Sequence, residues 1–208
     1  MDYWVLLCLS ALAAYALGSV NTAIIVSKAV LKIDIREQGS GNAGTTNALR
    51  VMGIKYTVWV VFGDVLKGVL ACVIGYLIAG EYGKLVAGTF AVVGHAFPLY
   101  FGFKGGKGVL TTCAVAGMID WRVMAIALSV FILVVAVTRY VSAGSILAAL
   151  TFFVCTGVFH SWEFGYLTMA FFLTVLIIIM HRQNLVRLFN GEENKLSFKK
   201  KAESGSRK

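Results

Sequence analysis

The chain has 208 residues, 59% of them hydrophobic, with a mean hydropathy of +0.81, 14% charged residues and a net charge of +9. Soluble domains are about 45–50% apolar and about 25% charged, so these values exclude a soluble globular protein and indicate a polytopic, all-α integral membrane protein. The basic excess then belongs to loops beside a membrane and calls for no nucleic acid.

The first apolar run begins Met1-Asp2-Tyr3-Trp4. A signal peptide would open with positive charge, so this run reads as a retained first helix. A helix needs about 20 apolar residues to cross the hydrocarbon. Candidate spans fall at 3–27, 56–79, 84–101, 108–118, 122–138, 144–159 and 162–180, about seven transmembrane helices. The fourth is short enough to be a half-helix, and five or six spans is the competing count. Cys8, Cys72, Cys113 and Cys155 lie in apolar runs without ligand spacing and read as small hydrophobes.

Charge sets the expected orientation. With the N-terminus outside, the outer segments 1–3, 80–84, 119–122 and 160–163 carry Lys84 and Arg122 against Asp2, Glu81, Asp120 and Glu163. The other basic residues, Lys67 apart, lie in or beside 28–55, 102–107, 139–143 and the C-terminal tail. Because basic loops stay cytoplasmic, the C-terminus is expected inside. Residues 1–190 form one membrane-embedded domain, and 191–208 a basic, partly disordered cytoplasmic tail near anionic lipid.

Four polar segments then share the cytoplasmic side. The first, "GSGNAGTTNALR" (39–50), spaces glycines as a dinucleotide fingerprint does. That fingerprint requires a βαβ unit, yet a membrane span precedes it and Asp64, the acid at the matching distance, lies in another. A Walker loop fails too, since Thr45-Thr46 stand where Lys-Ser would. What remains is physical: glycines let backbone N–H groups converge, Ser40, Thr45, Thr46 and Asn47 add side-chain donors, a helix start near Gly44 attracts anions, and Arg50 offers a planar fork.

The second segment, 94–108, clusters Lys104 and Lys107 with glycines and carries His95 and Pro98, the sole proline. The third is "TRYVSAGS", with Ser142 and Ser145, and the fourth "HRQN", with His181 and Asn184 spaced to share a helix face. Asp64 and Lys67 add an intramembrane pair that either ties a span to the loops or contacts substrate. His95 is placed to orient the second loop, and His160 to sit at the outer interface. No His, Cys or carboxylate cluster has ligand spacing, so no metal and no cofactor is expected.

In this order, "GSGNAGTTNALR", "GDVLKG", "GHAFP…FKGGKG", "RYVSAGS" and "HRQN…NGEE" resemble the bacterial acyl-phosphate:glycerol-3-phosphate acyltransferases, over about residues 10–195. Asn21, where many members have Pro, and Ala43 and Thr45 are small departures. The resemblance implies a multi-pass enzyme of the bacterial inner membrane that faces the cytoplasm. It would move a fatty acyl group from acyl phosphate to the 1-position of sn-glycerol 3-phosphate, giving lysophosphatidate and phosphate in the first acylation of phospholipid synthesis. Its partners would be both substrates, membrane lipid and, functionally, the enzyme that makes acyl phosphate. The His-x-x-x-x-Asp dyad of acyl-CoA-type enzymes is missing: Tyr100, Gly165 and Val186 stand five residues after the three histidines.

On this basis Ser40, Gly44, Thr45, Thr46 and Asn47 would hold the acyl-phosphate phosphate. Arg50, Lys107, Ser142, Ser145, His181 and Asn184 would hold glycerol 3-phosphate. Ser40, Arg50 and His181 are the catalytic candidates, with His181 or a substrate phosphate as base. Asp64, Lys67, His95 and Lys104 are possible supports. A transporter of a phosphate-bearing solute is the rival, weakened by the lack of an internal repeat.

Overall fold

The structure, a computed structural model, describes residues 2–196. Residues 197–208, most of the expected tail, lie outside the described residues. Nine α-helices and no strand occur among the described residues: α1 Tyr3–Gly18, α2 Thr22–Leu31, α3 Thr45–Met52, α4 Ile54–Ala96, α5 Val109–Ile119, α6 Trp121–Thr138, α7 Val141–Phe159, α8 Phe164–Met180 and α9 Arg182–Phe189.

The expected first span is broken at residues 19–21. Asn21 caps the new helix by accepting from the Ile24 N–H at 3.1 Å, a role suited to a short amide. The next two expected spans are one helical run, α4. Ala79 (φ −143°) and Gly80 (φ +64°) leave helical geometry inside it, and a side chain at Gly75 would overlap the Gly83 carbonyl and Ala87. Residues eight apart on a straight helix lie about 12 Å apart, so α4 folds back on itself as a tight hairpin.

By length and apolarity, four helical stretches among the described residues can cross a membrane: Tyr3–Leu31, Ile54–Phe101, Trp121–Thr138 and Val141–Phe159. The pair α8 and α9, bent by 57°, makes a fifth. The expected count of seven is reached only by taking the two legs of α4 and the short α5 separately. At 11 residues, α5 is about 16 Å long, well under the hydrocarbon thickness.

In lipid there is little hydrophobic drive between helices, so small residues that let backbones approach carry the packing. The α1 and α4 interface shows this. A Cβ at Gly18 would overlap the Ala91 carbonyl, and one at Gly94 the Tyr15 carbonyl. Leu77, Leu133, Val137 and Phe164 are instead exposed, as lipid-facing positions should be. Gly94→Ala should therefore lower stability by about 1–3 kcal/mol. The check is the thermal unfolding midpoint in detergent; an unchanged midpoint would mean that α1 and α4 are not in backbone contact.

Candidate functional site

A cleft of about 1810 Å³ opens where the ends of α3, α5, α7, α8 and α9 meet. It exceeds the roughly 300–1,000 Å³ of an ordinary small-molecule pocket. It brings together Ser40, Gly44, Thr45, Thr46, Asn47, Arg50, Asp64, His95, Lys107, Ser142, Ser145, His181 and Asn184. Lys67 is buried behind it, and Lys104 lies apart in a small cleft with Asp34 and Arg36.

Two buried side chains hold the 39–47 loop: Asn21, whose Nδ2 donates to Ala43 O at 3.2 Å, and Asn47. Asn47 is buried; its Nδ2 donates to the carbonyls of Ile35 (3.1 Å) and Gln38 (2.9 Å), and its Oδ1 accepts from the Ser40 N–H at 2.9 Å. Gly39 sits at φ +62°, where a Cβ would overlap Asn47 Oδ1, so glycine is required twice over. Both amide protons of Asn47 are thus engaged by backbone, and the residue shapes the loop. The expected phosphate donors reduce to Ser40, Thr45, Thr46 and backbone. Gly44 caps α3 without any side-chain bond, which leaves the first N–H groups of that helix open to an anion. Arg50 lines the cleft on the same helix, with no carboxylate partner among the described residues.

The second loop is folded against the first. Gly105 N–H donates to Ala96 O and Gly106 N–H to His95 O, each at 3.1 Å. A side chain at Gly106 would overlap the His95 ring and come within 2.8 Å of Ala43 O. Arg36 ties the loops together by donating to Phe101 O (2.6 Å) and Lys104 O (3.3 Å). Asp34 holds Arg36 through both carboxylate oxygens, at 2.9 and 2.7 Å, and that guanidinium bond keeps Asp34 well below the usual carboxylate range. Neither residue was among the sequence candidates.

Lys107 then reaches the third and fourth segments. Its Nζ donates to Asn184 Oδ1, and burial lowers its pKa to about 8. Glu193 joins the rest. Its Oε1 accepts from Ser142 Oγ (2.9 Å) and Asn184 Nδ2 (2.6 Å), and its Oε2 from Arg187 Nε (2.8 Å). Burial raises the Glu193 pKa, but the bonds from Asn184, Arg187 and Ser142 outweigh it and hold the group below its ordinary value. Glu193 and Arg187 were also missed by sequence reasoning, although "NGEE" set two acids within a basic stretch. Ser145 Oγ donates back to Val141 O at 2.9 Å.

His181 stands at the bend between α8 and α9, so it and Asn184 face the cleft across a bend instead of along one straight helix. Its Nδ1 is 2.8 Å from Ile177 O. A carbonyl only accepts, so a neutral His181 carries its proton on Nδ1 and leaves Nε2 bare. Among the described residues, no group of three or more His, Cys, Asp or Glu side chains could hold a metal ion.

Below these polar groups the cleft becomes an apolar arm. α5 and α7 scarcely touch each other, and α6 bridges them. The space between is lined by Cys113, Ala116, Met124, Ala127, Ala149 and Phe152.

The family model described as "Glycerol-3-phosphate acyltransferase" matches residues 8–191. A glycerol-3-phosphate acyltransferase of Thermoanaerobacter pseudethanolicus is 42% identical over 192 residues, 92% of this chain and 96% of its own. One of Clostridioides difficile is 42% identical over 198 residues, covering 91% and 95%. Among solved structures, the glycerol 3-phosphate form of PlsY (YgiH), an integral membrane glycerol 3-phosphate acyltransferase, superposes with a TM-score of 0.86 at 35% identity, over 92% of this chain and 96% of that one. Its lysophosphatidic acid form gives 0.83 at 34% identity over the same shares. With ordered motifs, fold and cleft in agreement, the chain belongs to the glycerol-3-phosphate acyltransferase family.

Proposed function

We propose that this membrane-embedded glycerol-3-phosphate acyltransferase takes its acyl group from acyl phosphate and places it on the 1-hydroxyl of sn-glycerol 3-phosphate. One observation carries the reading: a single cleft joins two phosphate-suited clusters to an apolar arm. Ser40, the open N–H groups at Thr45 and Thr46, and the Gly44 turn suit the acyl-phosphate phosphate. Arg50, Lys107 and the remaining Asn184 amide proton suit the phosphate of glycerol 3-phosphate. The bare His181 Nε2 and the Ser142 oxygen, whose proton goes to Glu193, suit its hydroxyls, and the arm suits the fatty chain.

The acceptor hydroxyl oxygen attacks the acyl carbonyl carbon. The carbon–oxygen bond to phosphate breaks, and phosphate leaves with the electron pair. The hydroxyl proton passes to His181 Nε2 or to a substrate phosphate oxygen. Acyl phosphate is already activated, so positioning and stabilisation of the leaving charge suffice, and no acyl-enzyme is required.

The reading is tested with purified protein in detergent, labelled glycerol 3-phosphate and either acyl phosphate or acyl-CoA. Lysophosphatidate from acyl phosphate alone is expected. No product, with solute uptake into liposomes, would favour the transporter. We further take the N-terminus to be outside, the cleft to face the cytoplasm of the bacterial inner membrane, and the legs of α4 with α5 to complete seven membrane-embedded helices. Labelling of residues 36–50 from outside would overturn that orientation.

Two outcomes follow from the lining. Lys107 binds phosphate only as the ammonium, so affinity for glycerol 3-phosphate should weaken as pH rises through about 8. The KM measured from about pH 7 to about pH 9.5 should climb, and Lys107→Arg, whose charge persists, should flatten that climb. Ala149→Phe would fill the arm and cut kcat/KM about tenfold or more for long-chain donors while sparing short ones, since a mis-sized apolar pocket costs roughly 1–3 kcal/mol. A uniform loss at every chain length would place the chain elsewhere.

A further inference from the structure

Asp64, Lys67 and His95 are 1%, 4% and 3% exposed, and the reaction as written uses none of them. Lys67 Nζ lies 2.8 Å from Asp64 Oδ1, 2.8 Å from His95 Nδ1 and 3.1 Å from Val20 O, while Asp64 Oδ1 is a longer neighbour of His95 Nδ1 at 3.5 Å. Its ammonium forms an ion pair with Asp64 and has protons for the other two acceptors, His95 Nδ1 and Val20 O. The carboxylate and the carbonyl can only accept. An alkylamine is more basic than an imidazole by about four pH units, so the proton between Lys67 and His95 stays on lysine. His95 Nδ1 therefore accepts, and the single N–H of its neutral ring is on Nε2.

That edge faces the second loop. Gly106 packs directly over Nε2, where any side chain would overlap it, and His95 lines the cleft together with Lys107. His181 is arranged the opposite way, with Nδ1 protonated against Ile177 O and Nε2 bare. The two histidines of one cleft thus present opposite faces of the same chemistry, one a donor and one an acceptor.

We propose that His95 is a substrate-binding residue whose Nε2–H, fixed by the buried Lys67–Asp64 pair, donates to the phosphate that leaves the acyl donor, opposite the bare Nε2 of His181. No bond to His95 forms or breaks. The donor strengthens its hold as negative charge grows on the departing phosphate, and Asp64 offsets the lysine charge so that the pair can remain buried. The choice of phosphate rests on the acyl-phosphate reading; the tautomer does not.

The sequence contains three histidines, so ¹⁵N-histidine-labelled protein in detergent gives a simple spectrum, assigned with His95→Gln and His181→Gln. His95 should appear protonated at Nε2 and His181 at Nδ1. Inorganic phosphate should shift the His95 Nε2–H resonance, and Lys67→Met should let His95 exchange between tautomers. In kinetics, His95→Leu should lower kcat/KM for acyl phosphate about 100-fold, with the KM for glycerol 3-phosphate within about twofold. His95→Gln, which keeps an N–H donor, should recover most of that loss. His95 protonated at Nδ1, a resonance unmoved by phosphate, or a full-rate His95→Leu enzyme would each overturn the proposal. The tautomers and the phosphate shift are read from the wild-type spectrum, and the glutamine variants serve only to assign its resonances. If acyl-CoA proves to be the donor, the acyl-phosphate reading fails while the tautomer and the phosphate shift are still decided on their own.

Discussion

His181→Gln should reduce kcat by about 10²–10⁴-fold, the range for loss of a general base, with a smaller change in the KM for glycerol 3-phosphate. Glutamine preserves size and hydrogen bonding but cannot take a proton at the position of Nε2. The wild-type rate should fall on the acid side, where a protonated imidazole has no free Nε2, and that limb should flatten in the variant. An unchanged pH profile with a raised KM would instead make His181 a positioning residue and leave proton acceptance to a substrate phosphate. The distinction is sharp because Nδ1 is already committed to Ile177 O, so only one ring nitrogen can perform the transfer.

Glu193→Ala should be the most damaging change to the site as a whole. The carboxylate collects bonds from α7 through Ser142 and from α9 through Asn184 and Arg187, while Asn184 in turn accepts from Lys107. Its removal leaves these donors facing one another with no acceptor. Breaking a buried pair costs about 3–5 kcal/mol; because Arg187 is 36% exposed, about 2–3 kcal/mol is the better expectation. Activity should drop at least about 100-fold and the unfolding midpoint should fall with it. Glu193→Gln should recover part of the stability, since an amide oxygen can still accept from Ser142 and Asn184, but its NH₂ group would confront Arg187. An active, fully stable Glu193→Ala enzyme would show that Lys107 and Asn184 are placed by helix packing alone.

The other expected effects are smaller because each touches one contact. Gly94→Ala perturbs the crossing of α1 and α4 beside His95 without removing a polar group of the cleft, and Lys107→Arg keeps the charge while changing its reach. Ala149→Phe acts on the chain and leaves the phosphate groups in place.

Composition and loop charge were sufficient to indicate an all-helical membrane protein, because a lipid-embedded chain must satisfy its backbone internally and shows this in long apolar runs. The cleft residues were legible for a related reason. Ser40, Arg50, Lys107, His181 and Asn184 interrupt apolar sequence at segment ends, where polar groups are costly unless used. Asn47 shows the limit of such reasoning. Its residue type suggested a phosphate donor, yet its amide closes the loop on backbone carbonyls, and only the fold reveals which partners it meets.

The same limit applies to Arg36 and Glu193, charged residues in basic stretches that look like ordinary surface positions in sequence. Their partners lie 65 and 51 residues away, at Phe101 and Ser142. The α4 hairpin was foreseen as two spans, but not the backbone contact that makes its turn so tight. The sequence by itself determined membrane residence, helical class and the inventory of phosphate-suited groups, since these follow from local composition. The tertiary structure alone decided which groups face the cleft, which only support it, and which ring nitrogen each histidine offers. Those outcomes depend on hydrogen-bond partners brought together by helix packing, and no local pattern encodes them.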